Sequence, residues 1–210
     1  TPFPWSDVFI IAGLILLNGL FASWRQRFET PDLPFLIVQL ANFGPAATQP
    51  VPSAWAEVRE SQRAVTNADP RTGLAVAVDI GDRYDIHPTN KLEVGRRLAL
   101  EARRVVYGRE VPRSPQPVSA RLTPQGLQIA YAAGTPLTSW GSDRVIGLQT
   151  CDQDAACVWT EGRVEGADLI LPAPLSAATR VRFCWGDSPV CNLYGPDGLP
   201  ATPFELPILR

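Results

Sequence analysis

The chain has 210 residues, enough for one large domain or two small ones. Its 19 basic and 21 acidic residues leave a formal charge of −2, so it offers no basic surface for a nucleic-acid partner, and none is expected. The chain has one histidine, so any histidine chemistry must run through His87. It begins at Thr1 and contains no methionine, which suggests a processed, trimmed or fragmentary product.

Val8 to Ala22 is almost wholly apolar, broken by Gly13, Asn18 and Gly19. As a helix this stretch reaches only about 22 Å, against about 30 Å of hydrocarbon in a bilayer. The reading adopted is therefore a buried helix leading into Trp24, and a membrane partner is not expected. The stretch is apolar on all faces, which is unusual for a helix with one wet side.

Residues 34–41 form a short apolar run suited to a strand buried on both faces. A loop rich in proline, glycine and alanine follows from Asn42 to Pro52. Ser53 has the character of a helix N-cap, and Trp55, Val58 and Val65 recur at helical spacing through about Ala68. Asp69-Pro70 breaks that helix, and Gly73 to Val78 reads as a second buried strand. A polar break spans Asp79 to Asn90, and a last helix runs from about Lys91 to Tyr107, with Gly108 as its stop. Strand, helix, strand and helix with short links predict two parallel strands joined by a crossover helix. Functional residues in such sheets gather at the carboxyl ends of the strands, where Gln39, Asn42, Asp79 and the loop 82–87 fall.

After Pro112 helical periodicity disappears. Short alternating or apolar segments follow at 117–122, 127–132, 145–150, 157–160, 168–171, 179–185 and 203–208, separated by turn residues. The pattern predicts an antiparallel β-sandwich. The expected division is an α/β part over 1–111 and a β-sandwich over 112–210.

The four cysteines fall in two close pairs, Cys151 with Cys157 and Cys184 with Cys191. Neither pair has the spacing of a zinc or redox site, and one histidine cannot complete a mixed cluster. Two local pairs suggest disulfides and export; the alternative is four separate buried thiols. Closing the loop between Cys151 and Cys157 would contribute about 2 kcal/mol by chain entropy.

The densest chemical feature is the stretch 79–91. It places Asp79, Asp82 and Asp85 within eight residues of His87, between a buried strand and a helix. A histidine there can act as general base, with a carboxylate holding its tautomer. The bland reading is a polar loop whose histidine caps the next helix. A second candidate, Gly186-Asp187-Ser188-Pro189, has the Gly-Asp-Ser order of a nucleophile box, but it lies late, in a predicted all-β region, and a β-turn is favoured. Trp140, Trp159, Trp185 and Tyr194 could stack on sugar rings or fill the β-core.

Several stretches taken together resemble the sialate O-acetylesterase family. They are Trp24-Arg25-Gln26-Arg27-Phe28, Asp32-Leu33-Pro34-Phe35, Val38-Gln39-Leu40-Ala41, Asp79-Ile80-Gly81-Asp82, and Asp85-Ile86-His87-Pro88 with Asn90-Lys91. Arg182-Phe183-Cys184-Trp185 and Asn192-Leu193-Tyr194 resemble the family's closing β-region. The resemblance runs from about residue 22 to the end and implies the C-terminal portion of an SGNH-type three-layer α/β hydrolase domain, followed by the β-sandwich. It implies a periplasmic or secreted esterase that removes acetyl groups from sugar hydroxyls by serine acyl transfer, with no metal or organic cofactor. His87 would be the catalytic histidine. Asp85 matches the motif most closely as its orienting carboxylate. The commoner position, three residues before the histidine, is Tyr84, so Asp82 is the fallback and a Ser-His dyad a third option. Gln39 and Asn42 are candidates for lining the substrate pocket.

The family's Gly-Gln-Ser-Asn nucleophile segment has no match here, and the apolar stretch Val8 to Leu20 does not resemble the family. The chain is therefore expected to supply the histidine but no recognisable nucleophile, to be inactive alone, and to need an N-terminal polypeptide carrying the serine. The alternative is a non-catalytic carbohydrate-binding or structural module, or an inactive remnant.

Overall fold

The computed structural model describes residues 6–132, 136–173, 175 and 177–210. The first half contains α1 (Ser6–Arg27), β1 (Phe35–Val38), α2 (Ala54–Ala68), β2 (Thr72–Ala75) and α3 (Lys91–Val105). β1 and β2 pair in parallel from Phe35 opposite Thr72 to Val38 opposite Ala75, with α2 as the crossover. The caps follow from the sequence. The Ser53 hydroxyl accepts from the Ala56 N–H, and the Asn90 side chain accepts from the Glu93 N–H. Gly108 stands just past α3 with φ +61°, a left-handed stop that favours glycine.

The second strand is shorter than expected. Pairing stops at Ala75, while Val76 to Val78 stay buried. The Val76 carbonyl is taken by the Arg97 guanidinium of α3 at 2.6 Å, and Arg104 reaches the Thr72 carbonyl at 2.9 Å. Two arginines thus dock α3 on the backbone of β2 and of the residue that follows it.

The buried-helix reading of α1 is overturned. Of Val8–Arg27 only Phe21 is buried, while Ile15 and Leu16 are 66% and 72% exposed. The physical reason is that a helix flanked on one side covers one stripe only. That stripe is defined by the Ser61 hydroxyl on the Ile10 carbonyl, Phe21 stacked on Phe35 at 4.3 Å, and Arg25 paired with Asp69 at 2.6 Å. The helix also runs on through the Trp24–Arg27 stretch, so Val8–Arg27 is long and apolar enough to cross a membrane by length and composition.

The second half contains β3 (Pro117–Thr123), β4 (Gly126–Tyr131), β5 (Thr138–Ser139), β6 (Val145–Cys151), β7 (Cys157–Glu165), β8 (Asp168–Leu171), β9 (Arg180–Phe183), β10 (Leu193–Tyr194) and β11 (Phe204–Leu209). Seven of these close into a barrel in the order β11-β3-β4-β8-β7-β6-β9, where two separate antiparallel sheets were expected. The closure is made by β11. It runs antiparallel to β9 from Phe204 opposite Phe183, and parallel to β3 at Ile208 opposite Ala120. That parallel seam could not be read from alternation, which reports faces and not neighbours. β5 and β10 form a separate ribbon of two residues each, too short for periodicity to reveal.

Both local cysteine pairs are disulfides. Cys151–Cys157 ties the β6–β7 hairpin, and Cys184–Cys191 closes the loop that carries residues 186–189. The core is shared between the halves. Leu74, Val76 and Val78 belong to one apolar cluster with Leu127, Ile129, Leu148, Phe183 and Phe204 of the barrel.

Candidate functional site

The His87 loop leaves the buried stretch after β2 and enters α3. Two tight turns shape it. The Asp82 carboxylate accepts from the Tyr84 N–H at 2.8 Å, and the Asp85 carboxylate accepts from the His87 N–H at 2.8 Å. Both are the local side-chain-to-backbone bonds that aspartate favours in turns. The second turn brings Asp85 Oδ1 to 3.5 Å from His87 Nδ1. That is ion-pair range, and the two side chains share no hydrogen bond. The imidazole is 86% exposed, and among the described residues no hydroxyl is hydrogen-bonded to it.

The other carboxylates are committed elsewhere. Asp79 forms a two-pronged pair with Arg97 at 2.6 and 2.8 Å. Asp82 serves the turn at Tyr84. Glu93, at the start of α3, is held down to about 2, first by hydrogen bonds from Arg96, which outweigh the opposing effect of burial, and then by those from Arg97.

Asn42 anchors the loop. Its Oδ1 accepts from the Gly81 N–H at 2.7 Å, and its Nδ2 donates to the Ser188 hydroxyl at 3.4 Å. A β-carbon on Gly81 would lie 2.3 Å from both the Asn42 carbonyl oxygen and its Oδ1, so only glycine allows this approach. The Gly44 N–H adds a bond to the Arg83 carbonyl at 3.0 Å. Gln39, in contrast, is buried, with its amide directed at the Arg59 carbonyl at 3.5 Å, and lies beneath α2. Ser188 is also buried, in the turn closed by Cys184–Cys191.

One residue escaped the sequence reading. Arg59 of α2 is fully buried and donates to four carbonyls, those of Leu40, Ala41, Gly186 and Asp187, at 2.5–3.0 Å. Burial pushes its pKa down to about 10, partly opposed by Asp187. The Ser53 hydroxyl donates to Asp187 Oδ1 at 2.6 Å, so the cap of α2 also holds this turn. The available signal was a charge four residues after Trp55, on the apolar stripe of the helix. Arg59 thus joins the end of β1 to the 186–188 turn of the β-half, and Asn42 joins both to the histidine loop.

No model of a protein family matches the chain. A sialate O-acetylesterase of Rattus norvegicus is 30% identical over 227 aligned residues, covering 90% of this chain and 40% of that protein. The sialate O-acetylesterase of Homo sapiens is 26% identical over 214 residues, covering 89% and 40%. The crystal structure of a carbohydrate acetylesterase from Xanthomonas citri superposes with a TM-score of 0.78 at 38% identity, over 87% of this chain and 43% of that one. The chain therefore spans about two-fifths of the length of the relatives it matches. Its sequence and its fold agree in placing it: the chain belongs to the sialate O-acetylesterase family.

Proposed function

We propose that this chain supplies the histidine side of a carbohydrate O-acetylesterase active site. In this reading a serine attacks the acetyl carbonyl of a sugar ester. His87 Nε2 takes the serine proton and returns it to the departing sugar oxygen, while Asp85 steadies the imidazolium. The observation that carries the reading is the Asp85–His87 pair on a loop clamped by Asn42, in a chain 38% identical to a carbohydrate acetylesterase.

The nucleophile comes from a second polypeptide segment, which completes an SGNH-type three-layer sheet. Two features support this. β1 pairs on one side only among the described residues: the N–H groups of Phe35 and Gln39 face the β2 side, leaving Leu36 and Val38 at the outer edge. The outward face of α1 is apolar and exposed. Parallel sheets are otherwise covered on both faces. The two disulfides support a periplasmic or extracellular setting.

The test is acetate release from p-nitrophenyl acetate by the chain alone, and by the chain co-expressed with the unmatched part of the Xanthomonas citri enzyme. No turnover is expected from the chain alone. Turnover that His87→Ala abolishes is expected from the pair. Activity of the chain alone that vanishes in His87→Ala would return Ser188 to consideration as nucleophile. Activity of the pair that survives His87→Ala would remove His87 from the mechanism.

A further inference from the structure

A cavity of about 250 Å³ lies between the barrel and the loop 42–47. Its walls are Trp159 and Thr160 of β7, Ile146 of β6, Trp185 and Ser188 of the disulfide-closed loop, and Ala47 opposite them. We infer that this cavity is an accessory subsite for one uncharged pyranose ring of a glycan.

Four observations carry the assignment. The first is size. Pockets for drug-sized ligands span roughly 300–1,000 Å³, so this one suits a single ring rather than an extended ligand. The second is the pair of indoles. Trp159 is 44% exposed and free to meet a ligand face, while Trp185 is buried and backed by the Arg182 guanidinium at 4.4 Å from its ring. The C–H face of a pyranose is apolar and its rim is polar, which is what a rigid aromatic wall with a few hydroxyl partners recognises.

The third observation is the polar rim. Thr160 and Glu161 stand among the lining residues, and Glu161 is held by Arg144 at 2.6 Å. The lining includes no cationic residue to hold an anionic ring, and the Arg144-paired carboxylate of Glu161 keeps acceptor sites for sugar hydroxyls. The cavity therefore suits a neutral sugar. The fourth is position. Ser188 in the wall bonds to Asn42, Asn42 holds Gly81, and Gly44 holds Arg83. The loop that forms one wall of the cavity is thus the loop that anchors the histidine segment. A ring seated here would hold a neighbouring part of the same glycan toward His87. That last step rests on the esterase reading; binding itself does not.

Binding of cellotetraose to the full chain, followed by tryptophan fluorescence and saturation-transfer NMR, tests the assignment. Saturable binding is expected. Trp159→Ala is expected to weaken it tenfold or more, and so is Ala47→Trp, which fills the cavity from an exposed position. His87→Ala is expected to leave it unchanged, which separates failure of the subsite from failure of the esterase reading. Absence of saturable binding, or binding indifferent to both cavity variants, would overturn the subsite. N-acetylneuraminic acid binding as tightly as the neutral sugar would overturn the choice of an uncharged ring.

Discussion

The two halves of this chain solve the same packing problem by opposite means. The β-half closes on itself: seven strands share every long edge, and Leu127, Ile129, Leu148, Leu169 and Phe183 are sealed inside. The α/β-half leaves β1 open on one side and most of α1 in solvent. Beyond the side chains it lends to the shared core, polar bonds fasten its helices. Arg59, Arg97 and Arg104 each fasten a helix to backbone carbonyls. A closed sheet pairs its own strand edges; an open one takes added order from buried charge-assisted bonds to the helices that cross it.

The sharpest way to break that contrast is Arg59→Met, which keeps the length of the side chain and removes the guanidinium. Four carbonyls lose their donor, so the expected cost is about 4 kcal/mol in denaturant unfolding. A loss under about 1 kcal/mol would mean that apolar packing, not this junction, holds the halves together. A paired comparison comes next. Leu127→Ala in the barrel is expected to cost about 3 kcal/mol, whereas Leu16→Ala on the outward face of α1 should change stability by less than about 0.5 kcal/mol. Equal costs would erase the distinction between the sealed and the open half.

The smallest effect is in acid. The Glu93 carboxyl sits at about 2 when folded and near 4.5 when free. Its ion pairs therefore stabilise the fold fully above about pH 4.5, and that contribution fades as pH falls toward 2. Glu93 is half-buried at the start of α3 and its arginine partners are partly screened by solvent, so about 1 kcal/mol or less is expected. Glu60 works the other way: burial raises its carboxyl despite the Arg63 hydrogen bonds, so its contribution falls as pH rises through its folded value. Glu93→Gln should flatten the acid limb of a pH–stability curve measured between pH 2 and 5. An unchanged limb would place the acid sensitivity elsewhere.

Much of the fold was legible because it is written in local terms. Ser53 and Gly108 mark helix ends by their own chemistry, and turn residues separate the strand segments of the β-half. Barrel closure was not legible, because a strand's periodicity does not say which strand lies beside it. The exposure of α1 is not legible for a related reason: an apolar run reports what it would bury, not what is present to bury it. At the site, the proximity of Asp85 to His87 could be anticipated from two residues of spacing. The contacts of Asn42 with Gly81 and Ser188 join positions 39 and 146 apart in sequence, a juxtaposition only the tertiary fold creates.

The shared core has a further consequence for how such a chain can be rearranged over time. The link between Val105 and Pro117 looks like a seam in the covalent chain, but Leu74, Val76 and Val78 lie across it in the barrel's own cluster. A recombination event that exchanged only the β-half would inherit a core shaped around three side chains from the other side. The two halves are separable as text and inseparable as a packing, and they are bound to be inherited together.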